Sequence, residues 1–182
     1  TLDNDALILP IAMMGAPTVM MEKFPSGNEF TQLVLMMEKL MQKKVSAILC
    51  IEAGGLNSTI PFVAAAKLGL PIVDGDAMGR AFPELQMVSF TLGGITATPM
   101  AMIDDKGNGA TFDTISNQWT EKLARALTIQ MGGSAMVSLY PVTAGECKKY
   151  LIKNSLSLIH HIGCVVKEHS FNAYKILAKE LK

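Results

Sequence analysis

The sequence predicts an α/β fold, with a mostly parallel sheet flanked by helices and an antiparallel hairpin portion. Four segments of strand length are apolar throughout, which is typical of strands that are covered on both faces. Strands and helices alternate in the first half of the chain, and this order favours right-handed crossovers between parallel strands. We therefore expect a single α/β domain over residues 1–182.

The predicted elements of the first half are strands over 6–13, 45–51 and 70–73, with helices over 29–44 and 59–68 between them. The first helix carries its apolar residues on one stripe, and Ser26 and Glu29 stand in the spacing of a capping box. The second helix has Asn57 or Ser58 available as its N-cap and Gly69 as its stop.

The second half begins with a less regular region. Residues 88–92 and 96–103 predict strands, and the turn-forming residues of 104–109 predict a hairpin into a strand over 110–115. A helix over 117–131 has Ser116 as its N-cap, and we expect Trp119, Leu123, Ala126 and Leu127 on its buried stripe. A fourth apolar strand over 134–140 precedes helices over 155–169 and 172–181.

Composition and charge exclude several classes of function. Apolar residues make up 49% of the 182 residues and charged residues 18%, so the chain can bury a substantial core. Sixteen basic residues balance sixteen acidic ones, which gives no electrostatic footprint for nucleic acid or anionic lipid. The longest nearly uncharged run, residues 6–21, is broken by Pro10, Gly15 and Pro17 and is too short to span a bilayer. We expect neither a nucleic-acid nor a membrane partner.

Cysteine usage favours a reducing compartment. The three cysteines cannot all pair, and no basic segment precedes the first apolar stretch. The sequence therefore predicts a cytoplasmic protein, and we expect it to be a homo-oligomer.

The unusual polar and small residues follow the predicted strands. In an open α/β sheet, ligands bind outside the carboxyl ends of the strands, where loops and helix N-termini face one crevice. The candidate site residues at these ends are Gly15, Ala16, Pro17, Glu52, Gly54, Gly55, Asn57, Asp74, Asp76, Arg80 and Glu84.

Each polar candidate has a functional and a structural interpretation. Glu52 could be a general base, or it could cap the next helix or pair with Arg80. Asp74 and Asp76 could hold a cation or orient a water molecule, although Asp76 could equally be an N-cap. Arg80 could bind a planar polar ligand or neutralise the acids. Asn57 suits recognition of an amide or imide, but helix capping explains it as well.

Cofactor motifs are weak or missing. No GxGxxG follows the first strand and no GxxxxGK[ST] occurs, so we expect no nucleotide, and an NAD-linked oxidoreductase would rest on fold analogy alone. His160 and Cys164 stand four residues apart on a predicted helix, but no established metal-ligand spacing accompanies them. A divalent metal is therefore not favoured.

Three segments carry a resemblance to a known family. PIAMMGAPTVMMEK, IEAGGLNSTIPFVAAAKLGLPIVDGDAMGRAFPELQM and GGSAMVSLYPVTA resemble the N-terminal domain of the S-methyl thiohydantoin desulfurase family, also described as hydantoinase-like. Members of that family are usually longer, with an opening glycine-rich segment and a C-terminal β-rich domain. We expect this chain to lack both and to be part of a longer family chain, which fits its start at Thr1.

The resemblance implies a hydantoin-type substrate and hydrolytic cleavage of a carbon–sulfur bond on the ring. We expect Glu52 or Asp74 to activate water, and Asn57, Arg80 and backbone N–H groups near Gly54 and Gly55 to bind the ring. The first loop and the residues Asp76 and Glu84 complete the implied site. The alternative is a non-catalytic ligand-binding or assembly domain that completes its site with other segments or a partner chain.

Overall fold

The structure is a computed structural model that describes residues 2–23, 26–169 and 171–181. Thr1, which enters the sequence analysis, lies outside these residues. The strands are β1 (Leu7–Gly15), β2 (Val45–Cys50), β3 (Ile72–Asp76), β4 (Met100–Ile103), β5 (Gly109–Phe112), β6 (Ser134–Ser138), β7 (Val142–Thr143) and β8 (Ile152–Lys153). The helices are α1 (Pro17–Glu22), α2 (Asn28–Met41), α3 (Ile60–Leu68), α4 (Ser89–Leu92), α5 (Asn117–Gln130), α6 (Ala144–Tyr150), α7 (Ser155–Glu168) and α8 (Ala173–Glu180), with a 3₁₀ turn at Leu56–Ser58.

The strands form one open sheet in the order β5-β4-β6-β1-β2-β3-β8, and β7 pairs with β1. The α/β class, the flanking helices and the hairpin of β4 and β5 are confirmed. The proportion of parallel pairing differs from the expectation, because among the described residues only β1 with β2 and β2 with β3 are parallel. The other five pairs in this part of the chain are antiparallel. Two of them arise because β6 enters between β1 and β4 against the direction of both.

The core has two layers, one on each face of the sheet. Along β1, Ile8 and Ala12 pack in one layer, whereas Leu9 and Ile11 pack in the other. Helices α2 and α3 cover the second layer, and α5 contributes Ala124 to the first. Successive side chains of a strand point to opposite faces, so a strand buried on both faces must be apolar throughout. This burial explains the continuous apolar runs of the sequence.

Two predicted strands after β3 are wrong in part. Residues 89–92 form the short helix α4, and the strand predicted over 96–103 begins only at Met100. Pro99 has no N–H to donate to a ladder, which favours a strand that starts after it.

The predicted buried stripe of α5 is wrong in part. Leu127 packs against the core, but Trp119 and Leu123 are 47% and 45% exposed and Ala126 is exposed as well. The buried face carries Thr120, Ala124 and Thr128 instead. The predicted N-cap is confirmed, since the Ser116 side chain accepts a hydrogen bond from the N–H of Trp119. The helix therefore starts where expected but turns a different face to the core. That face includes Thr120 and Thr128, whose hydroxyl groups have local hydrogen-bond partners.

Candidate functional site

A cleft of about 200 Å³ opens at the carboxyl ends of β1 and β2. Most of its lining residues are apolar, but polar atoms contribute about as much of its surface as apolar ones. Glu52, Asn57, Glu84 and Arg125 are the charged or amide residues that line it. The chain segment 82–85 forms one wall, and the ends of β1 and β6 form another. The cleft thus lies where the order of the strands predicts a ligand site.

Glu52 lies two residues after the end of β2 and is held by one neighbour. Its Oε1 accepts a hydrogen bond of 2.7 Å from the Asn57 Nδ2 group. Its Oε2 accepts no hydrogen bond from any residue that the structure describes. One carboxylate oxygen is therefore fixed, and the other is free to take a proton from a molecule in the cleft.

The Asn57 side chain docks onto the end of β1 like an additional strand residue. Its Oδ1 accepts from the N–H of Met13 at 2.7 Å, and its Nδ2 donates to the carbonyl of Met13 at 3.1 Å. With the bond to Glu52, both amide hydrogens are in use. Asn57 makes no side-chain cap for the helix that follows, so the expected capping role is wrong. The amide positions Glu52 and leaves no N–H group for reading a ring.

Asp76 holds together two loops next to the cleft. The residue is fully buried, and its Oδ2 accepts hydrogen bonds from the N–H groups of Ala53 at 2.9 Å, Met78 at 3.1 Å and Gly79 at 2.5 Å. Its Oδ1 is buried without a partner in the described residues. This one carboxylate joins the loop that carries Glu52 to the turn that follows β3.

Asp74 lies elsewhere, contrary to the expectation that it shares a crevice with Glu52. It is exposed and accepts hydrogen bonds from the Ser157 hydroxyl at 2.5 Å and the Ser157 N–H at 3.0 Å, at the start of α7. These bonds hold the pKa of the Asp74 carboxyl below its ordinary value. Asp74 therefore anchors a helix and does not line the cleft.

A local irregularity of β3 separates the two aspartates. Ile48 of β2 pairs with Ile72, whereas Cys50 pairs with Asp76, so four residues of β3 are set against two of β2. Such a bulge breaks the alternation that would place Asp74 and Asp76 on one face. A cation shared by these two carboxylates, which the sequence left open, has no support in this geometry.

The remaining loop residues divide between the cleft and its surroundings. Gly15 lines the cleft at φ +131°, and an added Cβ would overlap the Gly133 carbonyl, so the site requires glycine at this position. Ala16 precedes α1 and donates its N–H to the Gly133 carbonyl at 3.0 Å, and Pro17 opens that helix. Neither Ala16 nor Pro17 lines the cleft.

Only some of the candidate residues that follow β2 and β3 line the cleft. Glu84 lines the cleft and accepts a hydrogen bond from the Gln86 side chain. Arg80 is exposed and its guanidinium lies 5.6 Å from the centre of the Phe82 ring, so it stacks beside the cleft. It forms no ion pair with the acids among the described residues, contrary to one expectation. Gly54 and Gly55 lie in the loop behind Glu52 and do not line the cleft.

Sequence reasoning missed one pair of residues at the site. Arg125 of α5 lines the cleft, and its Nη2 lies 2.6 Å from Oε1 of the buried Glu121 one turn earlier. The Oε2 of Glu121 accepts the N–H of Leu85 at 3.1 Å, and Arg125 donates to the carbonyl of Pro83 at 3.1 Å. The Glu–Arg spacing of four residues was the available signal for this ion pair. Nothing local predicted that the pair would hold the wall of a distant cleft.

Among residues 2–23, 26–169 and 171–181, no group of three or more His, Cys, Asp or Glu side chains is arranged to hold a metal ion. His160 and Cys164 lie 3.8 Å apart without a third ligand, and His161 pairs with Glu180 instead. In the same ranges no helix has both the length and the apolar character needed to cross a membrane.

The fold and its cleft define an α/β domain with a carboxylate placed at the ends of the central strands. Comparison with known families finds two models that match, described as "S-Me-THD-like, N-terminal domain" over residues 1–114 and "S-Me-THD-like, C-terminal domain" over residues 115–182. The chain belongs to this S-Me-THD-like family, as the resemblance to the S-methyl thiohydantoin desulfurases predicted. No curated protein matches the chain.

A solved structure shares the fold. The crystal structure of a protein from Chromobacterium violaceum matches with a TM-score of 0.86 and 22% sequence identity. The alignment covers 98% of this chain and 52% of that protein, so this chain spans about half of its length.

The two regions matched by the family models are not separate structural units here. Strand β6, from the second region, lies between β1 and β4 of the first, and β8 pairs with β3. The cleft also draws on both, with Glu52 from the first region and Arg125 from the second. The candidate site therefore needs both regions.

Proposed function

We propose that this chain carries the catalytic cleft of a hydrolase that cleaves the carbon–sulfur bond of an S-methyl thiohydantoin. The observation that carries the proposal is Glu52, whose carboxylate is fixed through one oxygen by Asn57 and is open through the other in the cleft. Family membership supports this substrate class, and a carboxylate that opens onto the cleft supports the role of a base.

The proposed reaction begins at the ring carbon that bears the sulfur. This carbon lies between two ring nitrogens and is electrophilic. Glu52 takes a proton from a water molecule while the water oxygen bonds to that carbon, and the electron pair of the ring carbon–nitrogen double bond moves to nitrogen. The result is a tetrahedral centre that carries the hydroxyl and methylthio groups.

Collapse of the tetrahedral centre completes the reaction. The carbon–sulfur bond breaks, and methanethiolate leaves with the proton that Glu52 had taken. The hydroxyl proton moves to the ring nitrogen that gained the electron pair, and the carbon becomes a carbonyl. Water and S-methyl thiohydantoin thus give hydantoin and methanethiol, and Glu52 returns to its ionised state.

The cleft suits this substrate in shape and polarity. Met13, Met14 and Met78 line it, and flexible thioether side chains pack well against a planar ring and a methylthio group. Asp76 holds the backbone of Ala53, next to Glu52, so the base is fixed by its main chain as well as by Asn57. Fixed geometry of this kind lowers the cost of bringing water, base and ring together.

A second candidate function is a ring-binding domain whose catalytic site is completed by residues outside this chain. The observation that favours it is the length of the protein in the matched crystal structure, because the alignment with this chain covers 52% of that protein. In this case the cleft binds the ring but does not turn it over alone.

The experiment that separates the two functions measures thiol released from S-methyl thiohydantoin by the purified chain, in water enriched in heavy oxygen. Hydrolysis at the sulfur-bearing carbon predicts free thiol and one heavy oxygen atom in the hydantoin product. Saturable binding of hydantoin without thiol release would support the ring-binding domain. If the purified chain neither binds hydantoin nor releases thiol, both proposals are refuted.

A further inference from the structure

Arg125 lines the cleft and has hydrogen-bond donors that no described residue uses. A guanidinium has five N–H donors in a fixed planar fork. The Nε and Nη2 groups donate to Glu121 Oε1 at 2.8 and 2.6 Å, and Nη2 also donates to the Pro83 carbonyl at 3.1 Å. Within the described residues the two N–H groups of Nη1 have no partner, and the side chain lines the cleft while 43% exposed.

The orientation of this guanidinium is built into the fold. Glu121 is 9% exposed, and its second oxygen is occupied by the N–H of Leu85. The two nitrogens that bind Glu121 and Pro83 define the plane of the fork, and that plane fixes the direction of Nη1.

The charges around the cleft decide which ligand group fits. The positive charge of Arg125 is offset by Glu121, and the carboxylates of Glu52 and Glu84 also open onto the cleft. An anionic substituent would meet these two carboxylates, whereas a neutral carbonyl oxygen would accept from Nη1 without repulsion. The match is therefore to a neutral, polar oxygen.

We infer that Nη1 of Arg125 donates to the amide carbonyl of the hydantoin-type ring, the carbonyl next to the nitrogen that gains electrons during water attack. This inference rests on the proposed function and extends it by naming the ring edge that is recognised. The electron pair displaced onto that nitrogen is shared with the adjacent carbonyl oxygen. A donor at this oxygen thus stabilises charge as it develops, in addition to binding the substrate.

The test compares two unreactive rings as ligands. Hydantoin has the amide carbonyl, and imidazolidinone is the same cyclic urea with a methylene group in its place. Dissociation constants for both are measured by calorimetry with the wild-type chain, Arg125→Lys and Arg125→Gln. Arg125→Lys keeps a cation for Glu121 but lacks the fork. Lys122→Met, on the same helix and outside the cleft, is the matched control.

We expect both Arg125 variants to bind hydantoin about 10- to 100-fold more weakly, since a hydrogen bond from a charged donor is lost. Imidazolidinone should bind the wild-type and variant chains alike, and Lys122→Met should change neither ligand. A structural role for Arg125 in holding the wall would weaken both rings equally, and that result would overturn the inference.

The outcomes also separate this inference from the proposed function. If the wild-type chain binds hydantoin and the Arg125 variants bind it equally well, the inference is wrong and the proposed function stands. If the folded wild-type chain binds neither ring, the proposed function and the inference fall together. Far-ultraviolet circular dichroism of each variant shows whether it is folded, and the lysine variant provides the test if the glutamine variant is not.

Discussion

Replacing Asp76 with Asn should destabilise the protein strongly, although it removes only one charge. The Oδ2 atom of Asp76 accepts three backbone N–H groups in a fully buried position. A hydrogen bond to a charged group contributes about 1.5–3 kcal/mol and a neutral one about 1 kcal/mol, so three bonds lose roughly 1.5–6 kcal/mol together. The new amide NH₂ would stand where Oδ1 has no partner, and this cost offsets the relief of removing a buried charge.

The matched control for this change is Asp74→Asn. Asp74 is two residues away and accepts two hydrogen bonds from Ser157, but it is exposed, and we expect a loss below about 1 kcal/mol. Urea unfolding followed by circular dichroism gives both free energies of unfolding. An Asp76→Asn protein within about 0.5 kcal/mol of the wild type, or a larger loss for Asp74→Asn, would refute this reasoning.

Two further predictions concern titratable groups. Burial raises the pKa values of Cys50 and Cys147 to about 12. At about pH 8 an aromatic disulfide reagent should therefore modify Cys164 alone in the native protein and all three thiols in denaturant. Rapid reaction of two or three thiols in the native protein would contradict this. Because its bonds from Ser157 lower the pKa of Asp74, the stability that they provide should be full above about pH 4 and be lost as the pH falls through the folded-state pKa. The difference in unfolding free energy between the wild type and Ser157→Ala should therefore shrink in acid. Urea unfolding at several pH values measures this difference, and a difference that grows in acid would contradict the prediction.

The fold could be predicted as far as each element is specified locally. The apolar runs of β1, β2 and β6 reflect burial on both faces, and the Ser116 cap marks the start of α5 within the sequence itself. The direction of β6 could not be predicted, because it depends on pairing with β1 and β4, which are distant along the chain. The same limit explains the excess of parallel pairs in the prediction.

The same distinction between local patterns and distant contacts applies to the candidate site. Glu52 follows directly from the rule that parallel strands present ligands at their carboxyl ends. Asp74 was misplaced because the bulge in β3 has no signature in the sequence that we could read. Arg125 was missed because its role depends on contact with Pro83, which is 42 residues away. Local patterns therefore identified the proposed base, and tertiary contacts decided its surroundings.

The central claim is that Glu52 is the base for hydrolysis, and the most direct measurement is the rate of thiol release by Glu52→Gln. The control is Glu168→Gln, which changes an exposed carboxylate at the end of α7. We predict a rate about 100- to 10,000-fold below that of the wild type for Glu52→Gln, with hydantoin still bound, and an unchanged rate for the control. Thiol release by Glu52→Gln at the wild-type rate would contradict the account.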